Sequence, residues 1–407
     1  MAYNYFQLSN GIRVIHKQVD TSISHVGIVV NTGTRDELQG ESGIAHFIEH
    51  AIFKGTTKRN TYQVLSYLEN VGGELNAYTT KEETFFYASV LNAYLQRAVD
   101  LLADIVFNST FCQKELEKEK EVVKEEIKLC KDTPSEWIFD EFEDLVFDGH
   151  SLGTNILGSI ASLKKINRKG ILQFINRTYT TDQMVVAVVG NVTLAELKKI
   201  LNKYLGDLPE QHRTFQRQVF TGYHPVNKTI KLHSNQSHIV MGCALPAYND
   251  RQCQVAALLS NILGGQGLNS RLNMLIREKK GYVYNIEANY TALSDAGLFN
   301  IYIGCDHKNQ EKCIELTQKE IRKIQEVKLG TLQLRRSHLQ MIGQMCITYD
   351  SNLNEMLSIG KNHLLFHEVD TVEDMVKTIQ SITAEELQDM ANTMLDIDNF
   401  TYLIMGK

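Results

Sequence analysis

Two stretches of this 407-residue chain, 213 residues apart, read alike: SHVGIVVNTG from Ser24 and SHIVMGCALP from Ser237. After each comes a helical pattern, then glycines, then two apolar alternating segments. Each half also closes on a polar turn before an apolar run, TTDQMVVAVVGN near residue 181 and LDIDNFTYLIMGK near residue 395. A repeated order constrains the fold more than any local pattern, because both copies must solve the same burial problem in the same way. Between them, LPEQHRTFQRQVFTGYHPVN carries two of the chain's four prolines and little helical periodicity, the marks of a linker. We therefore expect one domain over 1–208, a linker over 209–227 and a homologous domain over 228–407.

Within the first copy, β-branched and alternating residues mark strands in GIRVIHKQ, ISHVGIVVNTG, FFYASVL from Phe85 and MVVAVVGNV from Met184. Helical spacing runs over 42–54, 62–71, 93–108, 114–131 and 194–205, the last with Thr193 in place to cap it. Strands lie early and late with helices between them. That order suits an α+β fold, a largely antiparallel sheet with helices packed on one face, better than a strictly alternating wound sheet.

Composition narrows the function classes. Hydrophobic residues make up 43% and charged residues 22%, with 26 glycines, so disordered and collagen-like classes fit poorly. Lys and Arg total 42 against 48 Asp and Glu, a net charge of −6, which offers no general footprint for nucleic acid. The seven cysteines form no C-x-x-C pair and read as reduced thiols. No apolar run reaches the roughly 18 residues that a membrane span needs. The first twenty residues show neither a secretory nor an organelle leader, so we expect a cytoplasmic protein without membrane association.

The chemistry gathers in ESGIAHFIEHAIFKG, where His46, Glu49 and His50 form H-x-x-E-H, the inverted zincin pair. On a helix His46 and His50 are i and i+4, so both imidazoles leave one face and reach a single ion. Glu49, three residues from His46, lies beside that ion and can take a proton without being a ligand. Catalytic zinc usually has a third protein ligand. The charged segment KELEKEKEVVKEEIKLCK is the best source: Glu119 and Glu126 are two turns apart on one face. Spacing alone does not choose Glu126 over Glu121 or Glu125, and most such charge runs are solvated faces.

The chain resembles the pitrilysin-type inverzincins, the zinc metallopeptidase family of insulysin and the mitochondrial processing peptidase. It looks most like the half-length bacterial members. That family follows H-x-x-E-H downstream with a glutamate ligand, and Glu126, 76 residues after His50, stands at that position. Further similar segments are LSNGIRVI at Leu8, VGGELNAYTTKEETFFY at Val71, HSLGTNILGS at His150 and SRLNMLIREKKGYVYNIEA at Ser270. The resemblance implies that His46, His50 and Glu126 bind one zinc ion per chain, with Glu49 as general base. It also implies that Glu119 orients a ligand imidazole. Asn76 and Ala77 would lie on the sheet edge where a substrate peptide adds as a strand. Arg277 and Tyr284 match the family's arginine and tyrosine pair, which holds the substrate carbonyl and the oxyanion. In the second copy the ligand positions are Leu258 and Ile262, with Asn261 in place of the base, so that copy is expected to bind no metal there.

The resemblance thus implies a metalloendopeptidase acting on peptides or unfolded segments through a water activated at zinc. It also implies a dimer, with itself or with a homologous subunit, because single-chain members of the family have twice this length. The alternative is a non-catalytic peptide-binding subunit of a heterodimeric processing peptidase, which the intact metal motif disfavours.

Overall fold

The computed structural model describes residues 3–367 and 369–406. Two sheets organise it. The first has strands β1 (Asn4–Gln7), β2 (Arg13–Gln18), β3 (Ile23–Val30), β4 (Glu74–Thr79), β5 (Thr84–Leu91) and β6 (Met184–Gly190), in the order β1-β2-β6-β3-β5-β4. All its pairings are antiparallel except β2 with β6. The second has β7 (Asn227–Lys231), β8 (Ser237–Pro246), β9 (Val283–Ala292), β10 (Ala296–Cys305) and β11 (Thr401–Gly406), in the order β7-β11-β8-β10-β9. There too one pairing, β11 with β7, is parallel. Without β1 the two orders are identical strand for strand, so the repeat read in the sequence is a repeat of topology. The fold is α+β, two tandem units.

Helices form close to where the apolar spacing puts them: Ile44–Ala51, Thr61–Glu69, Leu95–Asn108, Gln113–Asp132 and Leu194–Leu205. Thr193 caps the last, its side chain accepting from the Glu196 amide. These helices and Arg168–Thr178 pack on one face of the first sheet, against Val26, Ile28 and Val30 of β3 and Phe86, Ala88 and Val90 of β5. Period-2 alternation sends the intervening Val29, Phe85, Val185 and Ala187 to the opposite face.

That opposite face is covered too, by a helix from the other half of the chain. Met356, Ile359 and Leu364 of Asn352–Phe366 lie against Val29, Phe85, Val185 and Ala187. Gly360 allows the approach: a Cβ there would meet Phe85 Cζ at 2.9 Å and Ala187 Cβ at 3.0 Å. Buried Glu355 ties the same helix to the sheet, accepting from Tyr3 Oη at 3.0 Å and from Lys17 Nζ at 2.7 Å. The second sheet mirrors this. Its main core includes Ile239, Met241, Phe299 and Ile301, and its other face takes Ile138, Phe142 and Val146 of helix Pro134–Val146 against Val240, Leu298 and Leu403.

The compact units are therefore discontinuous in sequence. One comprises the residues up to Lys128, Thr154–Gln218 and Ile347–Thr371; the other comprises Leu129–Gly153, Val219–Cys346 and the residues from Val372 onward. A division over 209–227 separates the strands of the two sheets but not the two helices that cover their second faces. Residues 209–226 have no helix or strand, and they are not slack. Arg217 pairs with Asp36 at 2.8 Å, and Gln218 accepts from Arg35 through its carbonyl at 2.7 Å.

Candidate metal centre and its surroundings

Helix Ile44–Ala51 is short, and its start is held from upstream. Gly43 takes φ 83 at the N-cap, and the Glu37 carboxylate accepts from the Gly43 and Ala45 amides at 2.9 and 3.0 Å. Two otherwise orphan donors are thereby satisfied. Burial pushes the Glu37 carboxyl up to about 8 despite those two bonds. The apolar face of the helix, with Ile44, Phe47, Ile48 and Ala51 buried, fixes which way its polar residues point.

His46 and His50, one turn apart, have ring centroids 4.7 Å from each other. Both present Nε2 to Glu126 on helix Gln113–Asp132: His46 Nε2 to Oε1 at 3.7 Å and His50 Nε2 to Oε2 at 3.4 Å. These separations are long for hydrogen bonds. They suit a shared ion, since donors held about 2.0–2.2 Å from a tetrahedral centre lie roughly 3.3–3.6 Å apart. One donor atom from each of His46, His50 and Glu126 lies within 4.8 Å of the others, and no other such group of His, Cys, Asp or Glu occurs among the described residues. Two imidazoles and a carboxylate are borderline donors that suit zinc. Glu126 Oε2 is buried without a hydrogen-bond partner among the described residues, which fits an oxygen kept for a cation.

The neighbouring acids resolve what spacing left open. Glu121 and Glu125 point to solvent and pair with Lys124 and Lys128 at 2.8 and 2.6 Å, so they belong to the solvated face. Glu119 is buried and receives His50 Nδ1 at 3.1 Å. That contact suits the His50 tautomer with hydrogen on Nδ1 and a lone pair on Nε2. Lys54, one turn beyond His50, pairs with Glu119 at 2.7 Å. Burial pushes the Glu119 carboxyl up, and His50 with Lys54 overcomes that to hold it below the usual range. Burial likewise pushes His50 down, and Glu119, Glu126 and Glu49 more than reverse it. Burial, then His50, lower His46 to about 4. Neither Lys54 nor Glu37 belongs to a motif of the sequence. The i+4 spacing from His50 would have found Lys54, whereas Glu37 acts across a loop that leaves no periodic trace.

Glu49 lies near enough to His50 and Glu126 to interact electrostatically with both. Burial raises its pKa against the pull of Thr79 and His50, and Glu126 raises it further; its Oε2 is buried without a hydrogen-bond partner among the described residues. Thr79 ends β4, the edge strand of the first sheet, where Asn76 is exposed and Ala77 packs partly against the core. Only β5 pairs with β4 among the described residues.

Arg277 and Tyr284 belong to the other unit. Arg277 sits in a π-helical turn, Asn273–Glu278, and Tyr284 on β9 is 67% exposed. Neither side chain has a hydrogen bond or ion pair among the described residues. In the helix Asp250–Gly264, Leu258 is fully buried and Ile262 packs against the same core. The Asn261 amide donates to Gln344 at 2.8 Å. Apolar packing thus occupies the positions that bear the candidate metal donors in the first copy.

Two tandem α+β units, one of them carrying an inverted zincin helix beside a glutamate from a second helix, define a class of peptidase-like proteins. The chain belongs to the insulinase family of peptidases, M16. Residues 13–159 match the family's insulinase model, and residues 165–336 match the model described as the peptidase M16 inactive domain. A Bacillus subtilis (strain 168) protein named uncharacterized zinc protease YmxG is 30% identical over 98% of this chain and 97% of its own length. A Mycobacterium leprae (strain TN) protein named uncharacterized zinc protease ML0855 is 29% identical, over 96% and 88%. Among solved structures, a peptidase M16 inactive domain from Pseudomonas fluorescens superposes with TM-score 0.93 at 18% identity, covering 100% of this chain and 98% of that one. A protease from Helicobacter pylori gives 0.89 at 19%, covering 100% and 99%. These two likenesses concern the fold. No described helix is long and apolar enough to cross a membrane.

Proposed function

We propose that the protein is a zinc-dependent endopeptidase that cleaves peptides or unstructured segments. The observation that carries this reading is the convergence of His46, His50 and Glu126 donor atoms within 4.8 Å, with the Glu49 carboxylate interacting with His50 and Glu126. His46 and His50 through Nε2, with Glu126, hold the ion, one per chain. A zinc ion bound there supplies Lewis-acid polarisation of a carbonyl and lowers the pKa of water toward about 7. Glu119 orients His50 through Nδ1. Glu49, its pKa raised by burial, takes a proton from the attacking water and returns it to the departing amine nitrogen. Asn76 and Ala77 offer the free edge of β4 to a substrate strand, a mode that reads backbone more than side chains. Arg277 holds a substrate carbonyl, and Tyr284 donates to the oxyanion as it forms. The active species is a dimer, and a dimer with itself is the simpler form. Its matches to proteins named zinc proteases support this reading.

The test is hydrolysis of a quenched unstructured peptide by metal-loaded protein, chelated protein and a Glu49→Gln variant of measured zinc content. Chelation is expected to abolish cleavage. Glu49→Gln is expected to lower kcat by at least about 10²-fold with zinc retained. Cleavage that persists in the variant would remove Glu49 from the reaction, and zinc binding without any cleavage would favour a peptide-binding subunit.

A further inference from the structure

Two adjoining cavities, of about 380 and 600 Å³, run along the second unit and share Leu275, Glu320 and Lys323. Their walls carry far more positive than negative charge. Lys279, Lys280, Lys319, Arg322 and Lys323 line them, and none has a carboxylate partner among the described residues. The acids of the walls are Glu320, already paired with Arg271 at 3.2 Å, and Glu326. In a chain of net charge −6 this is a local reversal of sign. Helical periodicity builds it: Leu316, Lys319, Glu320 and Lys323 follow one face of helix Gln310–Glu326. The turn after Asn273–Glu278 supplies Lys279 and Lys280.

We propose that this trough selects substrates by binding an acidic segment of the peptide, a reading that rests on the peptidase function above. Its location supports this: Lys279 and Lys280 lie in the chain between Arg277 and Tyr284, and Leu275, in both cavities, shares the π-helical turn with Arg277. A chain held at Arg277 and Tyr284 therefore meets these lysines within a few residues. The lining also chooses a peptide over other polyanions. Leu275, Leu316, Met274 and Val327 give the trough an apolar floor that a phosphate chain does not use, and among the described residues no aromatic ring lines either cavity to stack a base. Carboxylate side chains on an extended peptide satisfy both the cations and the floor. Five uncompensated cations act on such a segment together, and their attraction weakens with salt.

The test separates selection from catalysis. Three peptides with one scissile sequence and acidic, neutral or basic flanks are compared in two ways. Binding is read by fluorescence anisotropy with the Glu49→Gln protein, and hydrolysis with the metal-loaded wild type. At low salt the acidic peptide is expected to bind roughly five- to tenfold tighter than the neutral one and to show a correspondingly lower KM. Salt near about 0.5 M should remove most of that advantage. Lys319→Gln with Lys323→Gln should bring the acidic peptide to the level of the neutral one. Lys58→Gln with Lys114→Gln, two exposed lysines in the other unit, should leave the preference intact. Equal binding of the three peptides, a preference unmoved by the Lys319 and Lys323 changes, or binding of inorganic tripolyphosphate in place of the acidic peptide would each overturn the trough. Selective binding without hydrolysis would keep the trough and count against the peptidase reading alone.

Discussion

At the scale of single residues, the centre depends on which side chain faces which atom. His46 and His50 differ by one helical turn, yet the protein treats them differently: His50 is held through Nδ1 by Glu119, while His46 Nδ1 is buried with no hydrogen-bond partner among the described residues. The orientation of His50 is thus the more dependent on a neighbour. Glu119→Gln, which keeps an acceptor but removes the charge that Lys54 and His50 share, is expected to weaken zinc binding about 10- to 100-fold. Competition with a chelator of known affinity measures this, and an unchanged zinc affinity would show that Glu119 serves only to bind Lys54. Of the residues involved, the two histidines and Glu49 were plain from H-x-x-E-H. Glu126 was separable from Glu121 and Glu125 in the sequence only through family resemblance. In the structure it is separable by geometry, because those two acids bind lysines on the outer face of the same helix.

At the scale of elements, the second face of each sheet was not legible. β-Branched apolar residues along β3 and β6 mark strands, and the order of elements points to helices on one face; nothing local says that a second layer covers the other. The cover is helix Asn352–Phe366 on one sheet and helix Pro134–Val146 on the other. Burying Met356, Ile359 and Leu364 contributes roughly 1.5–3 kcal/mol each as an upper figure, which is large against a typical net stability of about 5–15 kcal/mol. Gly360 is the contact point of that helix. Gly360→Leu is expected to destabilise by about 2–3 kcal/mol through overpacking against Phe85 and Ala187, although helix propensity alone would favour the change. Gly343→Ala, where an added Cβ meets nothing within 4 Å, is the control and should stabilise by about 0.5–1 kcal/mol. Urea denaturation of both variants decides it; a Gly360→Leu protein as stable as wild type would mean that the helix can shift on the sheet without cost.

At the scale of the whole molecule, the repeat explains both the architecture and the division of labour. The same strand order occurs twice, but among the described residues the candidate donors His46, His50 and Glu126 group in the first copy; in the second, Leu258 and Ile262 fill the corresponding helix positions with core. The proposed substrate contacts, Arg277 and Tyr284, lie in the second unit, and the proposed dimer brings two sets of each kind. If the sets act across subunits, a mixture of Glu49→Gln chains and Tyr284→Phe chains should recover up to about a quarter of wild-type activity when subunits exchange freely, each variant alone being nearly inactive. Failure to recover activity in a mixture shown to contain heterodimers would place both functions within one chain. The sequence by itself determined the α+β class, the doubled order of strands and the inverted zincin helix, because each is written in local periodicity and spacing. Tertiary structure alone decided which helix covers which sheet, that Lys54 pairs with Glu119 while Glu37 holds the start of helix Ile44–Ala51, and that scattered lysines line one trough. Those are contacts between residues far apart in the chain, and local spacing carries no record of them.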